Sequence, residues 1–128
     1  MVKAQIVKRI SGVCDILYGI GALAFTTCVL AQPTAQSGRM LFTDERKGNC
    51  IACHKTPSDA SLKGASNIGP PLDAIKQKYP SPRDRVRLKA EIGDLRDKNP
   101  STIMPPYGKH HILTEAEIDA IVAYLETL

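Results

Sequence analysis

The densest group of reactive side chains in this sequence is Cys50-Ile51-Ala52-Cys53-His54. Two thiols separated by two residues, with an imidazole directly after, form the C-x-x-C-H signature for covalent attachment of a c-type haem. The spacing has a geometric reason. On one helical turn, residues i, i+3 and i+4 share a face. Cys50, Cys53 and His54 therefore point the same way, so two thiols can add to the two vinyl groups along one edge of a porphyrin while the imidazole reaches the iron from the same side. Three other uses of the pair compete. A disulfide is open to any exported chain. A thioredoxin-like redox pair needs a βαβ context, and the sequence has no strand-rich pattern. Half of a zinc site with His110 and His111 would need roughly three to five residues between the histidines, which are adjacent.

A haem iron needs a further ligand or an open position. The candidate sulfurs are Met40 and Met104, and the candidate imidazoles are His110 and His111. Met40 lies just before Cys50 on the segment leading into the motif and would have to turn back across the haem. Met104 lies far enough downstream for the chain to wrap to the opposite side. It sits in Asn99-Pro100-Ser101-Thr102-Ile103-Met104-Pro105-Pro106-Tyr107-Gly108, where each proline fixes its own φ and restrains the residue before it. A pre-set extended loop suits presentation of a thioether, and Met/His ligation is known in electron-transfer haems. The plainer alternative is a methionine filling a core gap. His110 and His111 read as surface residues ahead of a helix, with either in reserve as the ligand.

Between these two segments runs Asn67-Ile68-Gly69-Pro70-Pro71-Leu72. Gly69 has no Cβ to clash with a planar cofactor. Pro70 lacks an N–H but keeps a free carbonyl acceptor. A metal-bound histidine usually donates its other ring N–H to such a carbonyl, so Pro70 is the candidate acceptor for His54. Leu72 would pack on the ring edge. An ordinary Gly-Pro turn is the alternative.

The elements that must position these residues read as helices. Thr114-Glu115-Ala116-Glu117 has a capping-box pattern, and Ile118, Ile121, Val122, Leu125 and Leu128 follow at helical spacing, flanked by Tyr124. A first helix is predicted over Gly38 to Gly48, with Leu41 and Phe42 apolar, and crossing of these first and last helices would bury both stripes. A third is predicted from about Arg83 to Lys98, introduced by Pro80-Ser81-Pro82 and stopped at Asn99-Pro100. Its apolar residues are Val86, Leu88, Ala90, Ile92 and Leu95. Its basic cluster of Arg83, Arg85, Arg87 and Lys89 reads as a solvated face, or more sharply as a dock for an acidic partner. With no useful strand pattern, the fold class is all-α: about three to four helices with long loops wrapped around one covalently bound haem.

Composition agrees with one small globular domain. The chain has 128 residues, a formal charge of +4, 43% hydrophobic residues, nine Pro, nine Gly and no Trp. The charge is modest and interspersed, which argues against nucleic-acid binding. There is no repeat, low-complexity tract or disordered-tail composition. Residues 1–31 read as an export signal: Lys3, Lys8 and Arg9 precede a mostly apolar stretch ending Val29-Leu30-Ala31. The uninterrupted apolar run after Asp15 is shorter than the about 20 residues of a spanning helix, so no stable membrane association is expected. Phe25-Thr26-Thr27 is a poor context for lipid attachment at Cys28. Cleavage after Ala31 would remove Cys14 and Cys28, leaving Cys50 and Cys53 in a domain over 32–128, a size that often relies on a staple or a cofactor.

Taken together, Gly48-Asn49-Cys50-x-x-Cys53-His54, Asn67 to Leu72, Asn99-Pro100 through Met104-Pro105-Pro106-Tyr107-Gly108, and Ile121-Val122-Ala123-Tyr124-Leu125 resemble the SoxX family, the monohaem cytochrome c subunits of SoxAX complexes in bacterial sulfur oxidation. The resemblance covers nearly all of the chain after residue 31. Its most specific part is the loop around Met104. The basic helix and the stretch Lys55 to Ser66 are where departure from relatives is expected. The resemblance implies a class I cytochrome c fold, haem c held by Cys50 and Cys53, His54 as proximal and Met104 as distal ligand. It implies a periplasmic electron-transfer subunit of an L-cysteine S-thiosulfotransferase with no catalytic residues of its own, partnered by the SoxA cytochrome. It would accept electrons released when thiosulfate is oxidatively coupled to a cysteine of the carrier SoxYZ and pass them to a small cytochrome c. A free-standing periplasmic electron carrier, or a protein with an open iron site, are the other classes.

Overall fold

The computed structural model of the chain describes residues 32–62 and 66–128. The expected export signal, with Cys14 and Cys28, lies outside the described residues, as does a short part of the stretch Lys55 to Ser66. Four α-helices are described: α1 (Ala35–Thr43), α2 (Ile75–Lys78), α3 (Pro82–Gly93) and α4 (Glu115–Leu125). Two 3-10 turns, Cys50–Ala52 and Leu95–Asp97, complete the regular elements, and no strand occurs among the described residues.

Caps set the helix starts. Thr34, Ser81 and Thr114 each accept a hydrogen bond from the backbone N–H three residues on, and Ser37, Asp84 and Glu117 reciprocate. These boxes satisfy orphan N–H groups that every helix start exposes. The first helix starts and ends earlier than the predicted Gly38 to Gly48. Thr34 caps it early, and at its far end the Asp44 carboxylate accepts from the Arg46 N–H (2.8 Å) while its carbonyl accepts from Lys47 and Asn49. That local alternative turns the chain out of the helix. The helix predicted from Arg83 to Lys98 breaks for a similar reason. It stops at Gly93, where Asp94 caps the next turn by accepting from the Arg96 N–H. The single turn α2, opened by a left-handed Ala74 (φ 50°), has no sequence signal strong enough to predict it.

The core forms where α1 lies on α4. Phe42, Ile118, Ile121 and Val122 are almost fully buried, and the Phe42 and Tyr124 rings meet edge-on with centroids 5.4 Å apart. A Cβ at Gly38 would lie 1.8 Å from the Ala120 carbonyl oxygen, so only glycine lets the two backbones approach this closely. The third helix contributes Leu88 and Ile92, one turn apart on a single face. Val86 and Ala90, predicted among its apolar residues, are exposed instead. The Tyr124 hydroxyl donates to Asp59 (2.9 Å), which also accepts from Arg39 Nε (2.8 Å). This ties the loop after His54 to both helices of the core.

Candidate functional site

A cavity of about 490 Å³ opens between α3, α4 and the long loops. It is the size of a small-molecule site, roughly 300–1,000 Å³. Cys50, Cys53 and His54 line it, as do Pro70, Leu72 and Met104. Every site residue predicted from the sequence is thus brought to one cavity. Met40 is 60% exposed on α1, and neither it nor the exposed His110 and His111 lines the cavity.

The attachment turn is tightly built. Cys53 and His54 both donate their N–H to the Cys50 carbonyl. Asn49 enters the turn in the left-handed region (φ 44°), which asparagine tolerates better than most residues. Burial pushes the Cys50 thiol up to about 12. A thiol disfavoured as thiolate is unlike the acidic nucleophile of a redox pair. Among the described residues no group of three or more His, Cys, Asp or Glu side chains could hold a metal ion by itself. Both cysteines line a mainly apolar cavity.

A strap over residues 69–72 covers the His54 ring. Gly69 N donates to the Cys53 carbonyl (2.9 Å) and Leu72 N to the Lys55 carbonyl (2.7 Å). A Cβ on Gly69 would fall 2.5 Å from His54 Cε1, so the strap lies flat on the imidazole. His54 Nδ1 is 2.7 Å from the Pro70 carbonyl oxygen. A carbonyl only accepts, so Nδ1 carries the proton and Nε2 is left with its lone pair free. That is the tautomer a metal-binding histidine needs.

The loop 99–108, which also borders the cavity, contains no regular element. Thr102 Oγ1 accepts from the Met104 N–H (3.2 Å), and the Thr102 N–H bonds the Asn99 carbonyl (3.0 Å). The Tyr107 hydroxyl donates to the Gly48 carbonyl (2.7 Å), and Gly108 and Lys109 donate to the Gly93 carbonyl. Asp94, held well below the usual carboxylate range chiefly by the Arg96 side chain, also pairs with Lys109 (3.2 Å). The cavity mouth carries two strongly exposed isoleucines, Ile68 (60%) and Ile103 (79%).

The cavity also takes in residues with no motif to announce them. Tyr79 and Glu91 line it, joined by a hydrogen bond of 2.8 Å, with the Arg87 guanidinium 4.9 Å from the Tyr79 ring centre. Pairing accounts for most of the basic cluster on α3. Arg85 meets Glu126, Arg87 meets Asp84 and Glu91, and Lys89 meets Asp119 and Glu115. These contacts favour a solvated, internally neutralised face over a dock for an acidic partner.

The arrangement fits a c-type haem: two thiols and an imidazole on one turn, a glycine with no room for a Cβ over that imidazole, a thioether from a separate loop lining the same cavity, and mainly apolar walls. No described helix is long and apolar enough to cross a membrane. A family model described as Cytochrome c matches residues 35–128. A curated relative from Aquifex aeolicus (strain VF5), described as an uncharacterized lipoprotein, is 36% identical over 80 residues. The match covers 62% of this chain and 36% of that protein, so this chain spans little more than a third of the relative's length. Among solved structures, SoxXA from P. pantotrophus matches with a TM-score of 0.64 and 23% identity, covering 76% of this chain and 82% of that one. At that identity the likeness is one of fold: all-α, of the class I cytochrome c type.

Proposed function

We propose, for a chain that belongs to the cytochrome c family and carries covalently bound haem c, that it is the electron-transfer subunit of a SoxAX-type complex. When bound, haem c supplies one reversible electron at its iron. The chain's own residues do the rest. Cys50 and Cys53 hold the group through thioether bonds. His54, oriented by Pro70, offers Nε2 on one side, and Met104 offers its sulfur on the other. Leu72 and the walls built by Ile92, Ile121 and Leu125 exclude water. A thioether ligand and a dry pocket both favour the reduced iron, which suits an acceptor. Ile68 and Ile103 at the mouth supply an apolar face where a partner can approach.

In this reading SoxA is the stable partner, and the electrons come from the oxidative coupling of thiosulfate to a cysteine of SoxYZ. A small cytochrome c takes them onward. The chain contributes no catalytic residue to the L-cysteine S-thiosulfotransferase. Residues 1–31 direct export to the periplasm and are removed, leaving 32–128. The observation that carries the proposal is one cavity with Cys50, Cys53 and His54 in its wall and Met104 on the loop Asn99 to Gly108, the loop most specific in its resemblance to SoxX. Co-expression with a SoxA-type cytochrome tests the partnership. A stable 1:1 complex containing haem in both chains is expected. A monomer that ignores that cytochrome, yet exchanges electrons with soluble donors, would point to a free-standing periplasmic carrier instead.

A further inference from the structure

We propose that Tyr107 is a positioning residue: its hydroxyl sets how firmly the loop carrying Met104 is held against the turn carrying Cys50. The proposal rests on the reading of Met104 as distal ligand. Tyr107 is buried, lines the cavity and donates to the Gly48 carbonyl at 2.7 Å across 59 residues of sequence. Among the described residues no other hydrogen bond joins loop 99–108 to segment 48–54.

Both ends of this bond are fixed. Gly48 is buried, and a Cβ there would lie 2.6 Å from the Leu41 carbonyl oxygen and 3.2 Å from Cys50 Sγ. Its carbonyl therefore belongs to a packed turn that cannot easily re-aim. On the other side, the Tyr107 carbonyl accepts from Ile112 and Leu113 (2.9 and 3.1 Å), and the next two N–H groups bond the Gly93 carbonyl. Past the Asn99 N–H, which bonds the Leu95 carbonyl, the hydrogen bonds up to Met104 are internal to the loop. Met104 packs partly buried against the core, but the one hydrogen bond that ties its loop to the attachment turn lies three residues away, at Tyr107. Losing the hydroxyl leaves the Gly48 carbonyl unpaired in a buried place and lets the loop, with its sulfur, swing outward more often.

The rate at which the ferrous holoprotein takes up carbon monoxide reads this directly, because the gas can bind only when the distal position is open. Four proteins are compared at neutral pH: wild type, Met104→Ala, Tyr107→Phe and Tyr124→Phe. Tyr124→Phe deletes a partly buried hydroxyl that bonds Asp59 and does not border the cavity, so it controls for general loosening. Expected are slow uptake by wild type, immediate uptake by Met104→Ala, uptake about fivefold faster than wild type in Tyr107→Phe, the factor an ordinary net hydrogen bond would give, and no change in Tyr124→Phe. A Tyr107→Phe rate equal to wild type, or an equal rise in Tyr124→Phe, overturns the tether while leaving Met104 as ligand. A wild-type rate as fast as that of Met104→Ala removes the ligand reading itself, and the tether with it.

Discussion

The two sides of the cavity are built on different plans. The attachment side is a turn and a strap laid flat on each other, with backbone hydrogen bonds from Gly69 to Cys53 and from Leu72 to Lys55, and with a glycine where no Cβ fits. The Met104 side is a proline-containing loop anchored chiefly at its far end, through Tyr107, Gly108 and Lys109, with Asn99 bonded to Leu95 at its start. One side leaves no room even for a Cβ over the imidazole, and the other is held by bonds that lie on either side of Met104. The difference separates holding the cofactor from tuning it. Changes on the attachment side should cost the cofactor, and changes on the loop side should cost its electronic properties.

The largest effect should come from Gly69→Val. Its Cβ would meet His54 Cε1 at 2.5 Å, and the strap cannot lift without breaking two backbone bonds. Purified protein should contain at least about tenfold less covalent haem, the scale at which displaced supporting contacts weaken a metal site. Normal loading would erase the contrast between the two sides. Met104→Ala should load haem normally yet lower the midpoint potential more than any other single change outside the attachment turn, since a thioether ligand raises it. Met40→Ala, at an exposed position away from the cavity, should leave the potential unchanged.

A smaller effect concerns the tie between the attachment loop and the core. The Arg39 guanidinium first, then the Ser61 hydroxyl, hold the Asp59 carboxyl well below the usual carboxylate range. A group with a depressed folded pKa stabilises above its unfolded value, about 4, and loses that contribution as pH falls toward the folded one. Asp59→Asn should cost about 1–3 kcal/mol at neutral pH, and its thermal melting point should fall less steeply on acidification than that of wild type. The smallest effect is expected on the outer face of α3. Arg87→Gln should change stability by no more than about 0.5 kcal/mol and leave haem content untouched.

Much of this was legible in the residue order because local chemistry dictates it. Cys50, Cys53 and His54 share a face by spacing alone, Pro70 can only accept, and Thr114 with Glu117 announces its helix. The lengths of α1 and α3 were less so. Asp44 and Asp94 end or redirect those helices through side-chain bonds to their own backbone, a competition that apolar periodicity does not register. Tyr107 was visible as part of a loop but not as a tether, because its partner Gly48 is distant in sequence. Tyr79 and Glu91 reach the cavity only through the packing of α2 and α3. The basic helix reads first as a solvated face, but which carboxylates neutralise it shows only when α4 and its C-terminal end are placed beside it.

Peptide mass spectrometry on the chain, expressed in a host competent for cytochrome maturation, tests the central claim most directly. The tryptic peptide containing Cys50 to His54 should carry one haem, joined through both sulfurs. Recovery of that peptide with free thiols, or with a disulfide between Cys50 and Cys53, would contradict it.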